Sequence, residues 1–564
     1  MKKIILNLII TVLVCTGFLF ISFGQTIVTT NHNLSLTGPG TVKAATESEI
    51  CKFCHTPHNS LPVRPLWNHT NSGAVYTLYT SSTLNAIPGQ PDGSSILCLA
   101  CHDGTVALGN IVSGPAVTFS GGVTVMPAGT KNISTDLSND HPISFLYNAA
   151  LATADGQLVT PAGITPPVHL ENSKVQCTSC HDPHKNLYSS FLVTTSQTSA
   201  LCMSCHSRTY WATSTHKTSV KTWNATAPNP WPHTPYTTVA NNACENCHNP
   251  HNAGGKLRLL NYAPEENNCL NCHSGTVATS TKNIQTQLAK TYKHNVAGYL
   301  GVHDPIENAN IITKHVECID CHNPHAVNAT TATAPLAKGF DLGVSGINQS
   351  GTNVAAVTNS YEICYKCHTG QTWSSPSAVP RRIVQNNVRL EFATTNPSFH
   401  PVVGPRNNAE VALNLIAPNT ATTVLYCTAC HASDGAGSPA GPHGSTFPQI
   451  LKLQYATTFG TTESATAYAL CYSCHNRTNL LAGTNSFREH SKHVVSAKIP
   501  CSECHDPHGI SSTQGTATNN SNLINFNSAV VTASGGVIQF IDQGVRRGSC
   551  TLICHGKNHN PITY

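Results

Sequence analysis

Cysteine and histidine recur through the sequence in one arrangement. The chain has 564 residues, of which 25 are Cys and 31 are His. Apart from Cys15, the cysteines form pairs, and a histidine directly follows the second cysteine of each pair. The regular form, C-x-x-C-H, occurs at Cys51, Cys54 and His55; Cys98, Cys101 and His102; Cys177, Cys180 and His181; Cys202, Cys205 and His206; Cys244, Cys247 and His248; Cys269, Cys272 and His273; Cys318, Cys321 and His322; Cys364, Cys367 and His368; Cys427, Cys430 and His431; Cys471, Cys474 and His475; and Cys501, Cys504 and His505. The last motif, Cys550, Cys554 and His555, has one additional residue between its cysteines.

This spacing is the attachment pattern of c-type haem. Two thiols add across the two vinyl groups of one porphyrin, and the following histidine becomes the proximal ligand of the iron. Zinc ribbons and thioredoxin-like sites share C-x-x-C but do not require that histidine, and a disulfide framework has no use for it. Because 24 cysteines act two at a time, the sequence predicts twelve covalently attached haem c groups. No catalytic residue is predicted.

Each haem iron needs a second axial ligand or keeps an open site. Subtracting the twelve proximal histidines from 31 leaves 19 histidines for this role. Methionine is nearly excluded as a ligand: Met1 belongs to the N-terminal signal and Met203 lies inside a motif, so that Met126 alone is usable. The sequence therefore predicts bis-His haems.

One set of candidate distal ligands lies in Pro-His dipeptides that follow the first motif of each successive motif pair. Most continue the motif as C-H-x-P-H, whereas an insertion after His431 moves one dipeptide to Pro442-His443. These histidines lie too close to their own proximal ligand to reach the far side of the same ring. We expect them to ligate a neighbouring haem or to contact a propionate. They are His58, His184, His251, His325, His443 and His508.

A second set lies upstream of each motif pair, and one histidine per pair completes twelve distal ligands. The prediction assigns His32, His141, His233, His315, His400 and His493. Alternatives stay open in the upstream clusters, namely His169, His216, His294, His303 and His490. We interpret His69, His216 and His559 as surplus to ligation.

The motif pairs are internal repeats, so each is predicted to build one two-haem module. After a signal peptide at 1–24, we expect modules at 25–140, 141–215, 216–290, 291–390, 391–485 and 486–564. Dividing 564 residues by twelve haems gives 47 residues per haem, so haems should form most of the core. The predicted fold is a mostly irregular, haem-cored chain with short α-helices and a few small β-hairpins, one of them at Ser534-Gly535-Gly536.

Composition and the N-terminus indicate where the protein works. Charged residues make up only 10%, the formal net charge is +5 and no basic block stands out, which argues against nucleic acid as a partner. Lys2 and Lys3 precede an apolar run from Ile4 to Phe23, which predicts an export signal cleaved before Gln25. An uncleaved membrane anchor is the alternative. No second span is predicted, so we expect an extracellular or outer-surface protein, with the periplasm as the alternative.

The sequence resembles the doubled C-x-x-C-H multihaem cytochromes of metal-respiring anaerobic bacteria. The segments that carry the resemblance are residues 51–58, 139–142, 441–444, 501–508 and 554–559. The resemblance implies electron transfer in the periplasm, at the cell surface or outside the cell, with other cytochromes or redox proteins and extracellular electron acceptors as partners. Some similar cytochromes stack into extracellular filaments, which would make copies of the chain partners as well.

Two functions are consistent with these features. The leading interpretation is an electron carrier that is not an enzyme, with closely spaced bis-His haems conducting electrons towards a metal or an electrode. The alternative is a multihaem reductase of a small oxyanion or nitrogen compound such as nitrite or hydroxylamine. A reductase needs an iron with an open sixth site and acid–base residues beside it. The stretched motif at Cys550 is the best candidate for such a special haem.

Overall fold

The computed structural model describes residues 27–61, 66–298, 315–369, 377–406, 411 and 413–564. The predicted signal peptide, Cys15 and the candidate ligand His303 lie outside these ranges. Within them, no helix combines the length and the apolar character that crossing a membrane requires.

Short helices carry the motifs in two ways. The first motif of a pair occupies a single turn, such as the 3₁₀ turn Cys427–Ala429, whereas the second often ends a longer helix at its proximal histidine. The α-helices are α1 Gly93–His102, α2 Ala149–Asp155, α3 Cys177–Cys180, α4 Ala200–Met203, α5 Thr215–Thr218, α6 Val239–Asn242, α7 Glu265–His273, α8 Gln285–Leu288, α9 Cys318–Cys321, α10 Tyr361–His368, α11 Val388–Glu391, α12 Ala469–Tyr472 and α13 Arg477–Leu481.

The strands are short and antiparallel. They are β1 Phe145–Leu146, β2 Lys174–Val175, β3 Tyr292–Lys293, β4 Gly346–Ile347, β5 Asn353–Val354, β6 Ser398–Phe399, β7 Gly444–Ser445, β8 Gly509–Ile510, β9 Gln539–Asp542, β10 Gly548–Cys554 and β11 Lys557–Thr563. Two-residue ladders join β1 to β2, β3 to β7, β4 to β5 and β6 to β8, and β10 is the central strand of a sheet with β9 and β11. The predicted class, irregular chain with short helices and small hairpins, is confirmed.

The predicted turn at Ser534 is also confirmed. Ser534 and Val537 exchange backbone hydrogen bonds of 2.9 and 3.0 Å across the turn. The two residues between them, Gly535 and Gly536, have φ values of 57° and 83°. Two consecutive positive φ values define the turn that best matches the twist of a hairpin, and glycine adopts them without a steric cost.

The chain forms two compact units, one from Met1–Ser207 with His248–Asn261 and the other from Arg208–Cys247 with Tyr262–Tyr564. Each contains small separate apolar clusters rather than one continuous core. In the first unit, Ala44, Phe53, Leu108 and Phe119 form such a cluster, with the motif residues Cys54 and Cys101 packed against it. The core is therefore divided around the haem-attachment cysteines, as the haem-cored prediction requires.

Candidate haem-binding sites

Each regular motif folds as one tight turn. The backbone N–H of His55 donates to the carbonyl of Cys51 at 2.8 Å, and that of His181 donates to Cys177 at 3.0 Å. This bond, from residue i to residue i−4, is that of an α-helical turn. It brings two cysteines three residues apart to one face and places the histidine at the end of the turn. The same bond closes the motifs that begin at Cys202, Cys318, Cys427, Cys471 and Cys501.

Backbone carbonyls orient the proximal imidazoles. Nδ1 of His102 donates to the carbonyl of Lys131 at 2.7 Å, and the same contact recurs at other motifs. The further acceptors are the carbonyls of Ser190 for His181, Arg258 for His248, Lys282 for His273, Phe340 for His322, Gln449 for His431 and Asn522 for His505, at 2.8–3.1 Å. A bond at Nδ1 fixes the tautomer and leaves the Nε2 lone pair for a metal.

Sequence reasoning missed these acceptors, although four of them share one backbone conformation. Ser190, Arg258, Gln449 and Asn522 have φ values between 54° and 59°, and each is followed by a second residue with positive φ. Non-glycine residues rarely adopt this region. The acceptors lie 9, 10, 18 and 17 residues after their histidines, and glycine marks none of them. Neither a fixed spacing nor a residue type therefore identifies these carbonyl acceptors in the sequence.

Beyond the motifs, pairs of histidine rings face each other at one repeated separation. We call two imidazoles an opposed pair when their centroids lie 6.0–6.4 Å apart, the separation expected for two ligands on one iron. A metal–nitrogen bond of about 2.0 Å and about 1.1 Å from nitrogen to ring centroid give about 6.2 Å in total. The pairs that contain a proximal histidine are His32–His102, His55–His184, His141–His206, His181–His251, His216–His273, His322–His443, His400–His475, His431–His508 and His490–His505.

A simple rule relates these pairs to the chain. A Pro-His histidine faces the first proximal histidine of the preceding motif pair, as His184 faces His55 and His508 faces His431. An upstream histidine faces the second proximal histidine of the motif pair that follows it, as His32 faces His102, with the exception of His490, which faces the first proximal histidine of the last pair, His505. These Pro-His rings therefore lie beside the preceding motif pair, and their ligation of a neighbouring haem stays a prediction.

The upstream histidine and the next Pro-His dipeptide are joined directly. Nδ1 of His400 donates to the carbonyl of Pro507, and the backbone N–H of His400 donates to the carbonyl of His508 at 3.0 Å. The ladder between β6 and β8 extends this contact. Nδ1 of His32 bonds to Pro183 at 3.1 Å in the same way, and Nδ1 of His216 bonds to Pro324 at 2.9 Å. One segment thus holds the histidines that face both proximal ligands of a motif pair.

In some clusters the geometry favours a histidine other than the one predicted as distal ligand. His216, interpreted as surplus, faces His273, while the exposed His233 bonds through Nε2 to the carbonyl of Glu245 at 3.0 Å. The geometry therefore favours His216 over His233 within this cluster, and the choice of ligand stays a prediction. In the last cluster, His490 faces His505, and His493 lies near His555 instead.

The remaining candidates have other surroundings. His294, rather than His315, is the histidine that most strongly affects the pKa of His368, which burial lowers to about 4. His325 lies edge-on to Trp211. His58 is exposed, and no histidine of the described ranges forms a ring contact with it. His69 is buried, with both ring nitrogens near backbone carbonyls, which agrees with its interpretation as surplus.

Burial keeps most of these imidazoles neutral. It lowers the pKa to about 4 at His181, His273, His431, His443, His475 and His490. His508 differs: burial acts in the same direction, but a 2.9 Å hydrogen bond to the buried carboxylate of Glu391 outweighs it and raises the pKa. A neutral imidazole has the free lone pair that binding to iron requires.

The first cysteines of neighbouring motifs meet where one motif pair follows another. The thiols seen here occupy the positions of thioether sulfurs once haem is attached. In four such places the neighbouring thiol raises a cysteine's pKa: Cys98 lies beside Cys177, Cys318 beside Cys269, Cys364 beside Cys427 and Cys471 beside Cys501. These contacts join the second motif of one pair to the first motif of the next.

Within each motif pair, the two second cysteines are electrostatic neighbours, and one thiol raises the pKa of the other. These pairs are Cys54 with Cys101, Cys180 with Cys205, Cys247 with Cys272, Cys321 with Cys367, Cys430 with Cys474 and Cys504 with Cys554. Inside each compact unit, the two motifs of one pair therefore approach each other through their second cysteines. Motifs of successive pairs approach each other through their first cysteines.

Cys367 and Cys474 show that the second motifs do not all fold alike. Cys367 lies within α10, which continues to the proximal histidine, whereas α12 ends two residues before Cys474. Cys474 lies in the turn that follows α12. Its Sγ lies 3.7 Å from Oγ of Ser473. Both cysteines are half-buried, and their thioether roles stay predictions.

The last motif has a different local structure. Cys550 and Cys554 lie in β10, and four residues of a strand span about 13 Å, whereas the regular motifs are compact turns. His555 follows as an exposed residue with φ 44°, in the two-residue turn to β11. Rings of His493, His555 and His559 cluster here, with one nitrogen of each lying within 4.8 Å of the others.

Two protein-family models match parts of this chain. The family described as outer membrane cytochrome MtrC/MtrF-like, domains II/IV, matches residues 346–517. The doubled CXXCH motif family matches residues 169–209 and 233–278. No curated protein was found to be similar to the chain.

Proposed function

Because the chain is a multihaem c-type cytochrome with doubled C-x-x-C-H motifs, we propose that it conducts electrons through a row of closely spaced bis-His haems in extracellular anaerobic respiration. Twelve haems are proposed, one for each motif, in successive two-haem modules. The opposed histidine pairs are the observation that carries the proposal. Irons with two histidine ligands exchange electrons without needing an open position for substrate.

Bound haem supplies the one-electron chemistry, and the protein determines its position and surroundings. The cysteines of each motif tether one edge of the ring. Carbonyls such as those of Lys131 and Ser190 orient the proximal imidazoles through Nδ1. Proline carbonyls such as that of Pro324 orient the histidines on the other side. Each ligand is thereby prearranged, so that little of the protein has to rearrange when an electron arrives.

The contacts between cysteines support transfer in chain order within each compact unit. Because the thiols of Cys98 and Cys177 lie close together, the edges of the haems attached at these cysteines would also lie close together. Neighbouring haems would therefore exchange electrons through short gaps. The haem attached at Cys98 and Cys101 would meet its other neighbour, the haem of the motif at Cys51 and Cys54, near Cys101, because Cys101 lies close to Cys54.

The partners are proposed from the family resemblance. Electrons would come from other cytochromes or redox proteins and would pass to extracellular acceptors such as metal compounds or an electrode. The outer surface or the outside of the cell is the proposed location, with the periplasm as the alternative. Assembly of copies into a filament is proposed on the resemblance alone, because the described contacts do not address it.

A redox titration with substrate assays tests the proposal. We expect mass spectrometry to find twelve haems on the purified holoprotein, and a potentiometric titration to spread over a wide window below the potentials of His/Met haems. Reduced protein should transfer electrons to chelated ferric iron and to an electrode, and should bind little CO. Rapid, saturable turnover of nitrite or hydroxylamine that cyanide abolishes would favour the reductase, and a single narrow redox transition would contradict the conduit.

A further inference from the structure

A buried carboxylate contacts one of the Pro-His histidines. Nδ1 of His251 donates to Oδ1 of Asp140 at 3.0 Å, and the backbone N–H of Asn252 donates to the same oxygen at 3.2 Å. The Asp140 side chain is 4% exposed. The next residue, His141, donates its backbone N–H to the carbonyl of Pro250 at 2.8 Å. These bonds together fix the position of the carboxylate relative to the ring.

The neighbouring imidazoles of the same compact unit bond to neutral groups instead. His251 faces His181, and His32 faces His102 in the adjacent opposed pair. The acceptors at Nδ1 of the other three rings are backbone carbonyls, those of Ser190 for His181, Lys131 for His102 and Pro183 for His32, at 2.7–3.1 Å. The two pairs therefore differ in the charge of one acceptor.

An anionic acceptor affects iron in a way that a carbonyl does not. A carboxylate at Nδ1 makes an imidazole a stronger donor to a metal, and its negative charge stabilises the ferric state. Burial preserves this effect, because solvent screens a buried charge weakly. The charge near His102 has the opposite sign: burial lowers the pKa of this ring, and the ammonium of Lys131 lowers it further, by more than Asp103 raises it.

Other Pro-His histidines show that this bond is not needed to place the ring. The same arrangement recurs at His508, whose Nδ1 donates to Oε2 of Glu391 at 2.9 Å. Nδ1 of His443, in contrast, is buried without a hydrogen-bond partner in the described part of the chain. Nδ1 of His184 lies 3.6 Å from Oδ1 of Asp182, at an exposed position. Because His184 and His443 also face proximal histidines, the carboxylate has a role other than placement.

We infer that Asp140 lowers the reduction potential of the iron bound at His181 below that of the iron bound at His102. The inference rests on the proposed function, because it requires haems whose irons are held by the opposed rings. An electron that crosses from the side of Cys98 to the side of Cys177 would then move up in energy, and one that crosses in reverse would move down. The partly reduced protein would hold electrons at His102 before it holds them at His181.

A potentiometric titration of the Asp140→Asn holoprotein tests the step. Asparagine keeps an oxygen that accepts from Nδ1 of His251, and it removes the charge. The hydrogen bond of 3.0 Å, the width of the ring and a metal–nitrogen bond of about 2.0 Å place the carboxylate about 7 Å from the iron. At an effective dielectric constant of about 20, one component should become easier to reduce by about 50-fold, which for a one-electron couple is about 100 mV.

Three further variants separate charge from structure. Asp140→Ser also removes the charge and should move the same component in the same direction, whereas Asp140→Glu keeps the charge and should restore the parent titration. Asp182→Asn is the matched control, since its carboxylate lies near Nδ1 of His184 but is exposed to solvent, and it should leave the titration nearly unchanged.

A double-mutant cycle assigns the moved component. In a His251→Ala background one iron should be high-spin, and Asp140→Asn should then move no low-spin component. Haem mass spectrometry accompanies every variant.

An unchanged titration in Asp140→Asn and Asp140→Ser, with the parent number of haems, would overturn the inference and leave the proposed conduit standing. An equal shift in Asp182→Asn, or a low-spin shift in the His251→Ala background, would also overturn it. A single narrow redox transition in the parent protein would instead refute the conduit, and the inference with it.

Discussion

The carboxylate of Glu391 should set the potential of one haem. Its Oε2 accepts a 2.9 Å hydrogen bond from Nδ1 of His508, and the ring of His508 faces His431 at 6.0 Å. The Glu391 side chain is 9% exposed, so solvent screens its charge weakly. A negative charge near the iron stabilises the ferric state, and Glu391→Gln removes that charge while keeping the shape of the side chain.

The distances give the size of the effect. The path from the carboxylate through the imidazole to the iron is about 7 Å, which at an effective dielectric constant of about 20 corresponds to about 2.4 kcal/mol. For a one-electron couple, about 59 mV corresponds to a tenfold change in the equilibrium constant, so the potential of this haem should rise by about 100 mV in Glu391→Gln.

The assay is a potentiometric titration of the holoprotein at about pH 8, a pH chosen because burial raises the pKa of the Glu391 carboxyl. One component of the titration should move, and the others should stay. The matched control is Asp155→Asn, which removes a carboxylate that accepts a hydrogen bond from the backbone of Gln157. An unchanged titration in Glu391→Gln, or the same shift in the control, would refute the reasoning.

Three further predictions follow from other contacts. His216→Ala should create one high-spin haem in the electron paramagnetic resonance spectrum, and its neighbour variant His233→Ala should create none; the reverse would restore His233 as the ligand. Gly509→Ala places a Cβ 2.3 Å from the carbonyl of Glu391 at a φ of 155°, and should lower the free energy of unfolding by about 1–3 kcal/mol, whereas Gly73→Ala, with open space around it, should not. Lys256 lowers the pKa of Asp136 to about 2. The stabilisation from this half-exposed ion pair, under about 1 kcal/mol, should be present above about pH 4 and lost as the pH falls through about 2. Urea unfolding of Asp136→Asn should therefore differ from the parent at pH 6 and converge with it near pH 2.

Sequence reasoning succeeded where the chemistry is local. A motif of five residues such as 177–181 contains its own cysteines, its own proximal histidine and the hydrogen bond that closes the turn. Counting also predicts the class of distal ligand, because 19 histidines remain and methionine is nearly absent, and that class stays a prediction. The short helices and the turn at Ser534 followed from the same kind of local signal.

Partners across long stretches of chain were harder to predict. His216 and His273 lie 57 residues apart, and nothing within a short window distinguishes His216 from His233. The contact of His216 with the carbonyl of Pro324 is what distinguishes His216 from His233. That carbonyl comes from the next motif pair. The carbonyl acceptors of the proximal histidines were missed for a related reason: a backbone conformation, and not a residue type, defines them.

The direct contact between each upstream histidine and the next Pro-His dipeptide has a consequence for how the protein is made. A motif pair has its full set of opposing histidines only after the following motif pair has been synthesised and exported, so we expect the axial ligation of each pair to be completed only then. The final pair escapes this dependence, because His490, which precedes it, faces His505. A truncation after residue 485 would therefore leave His431 without the opposing ring of His508.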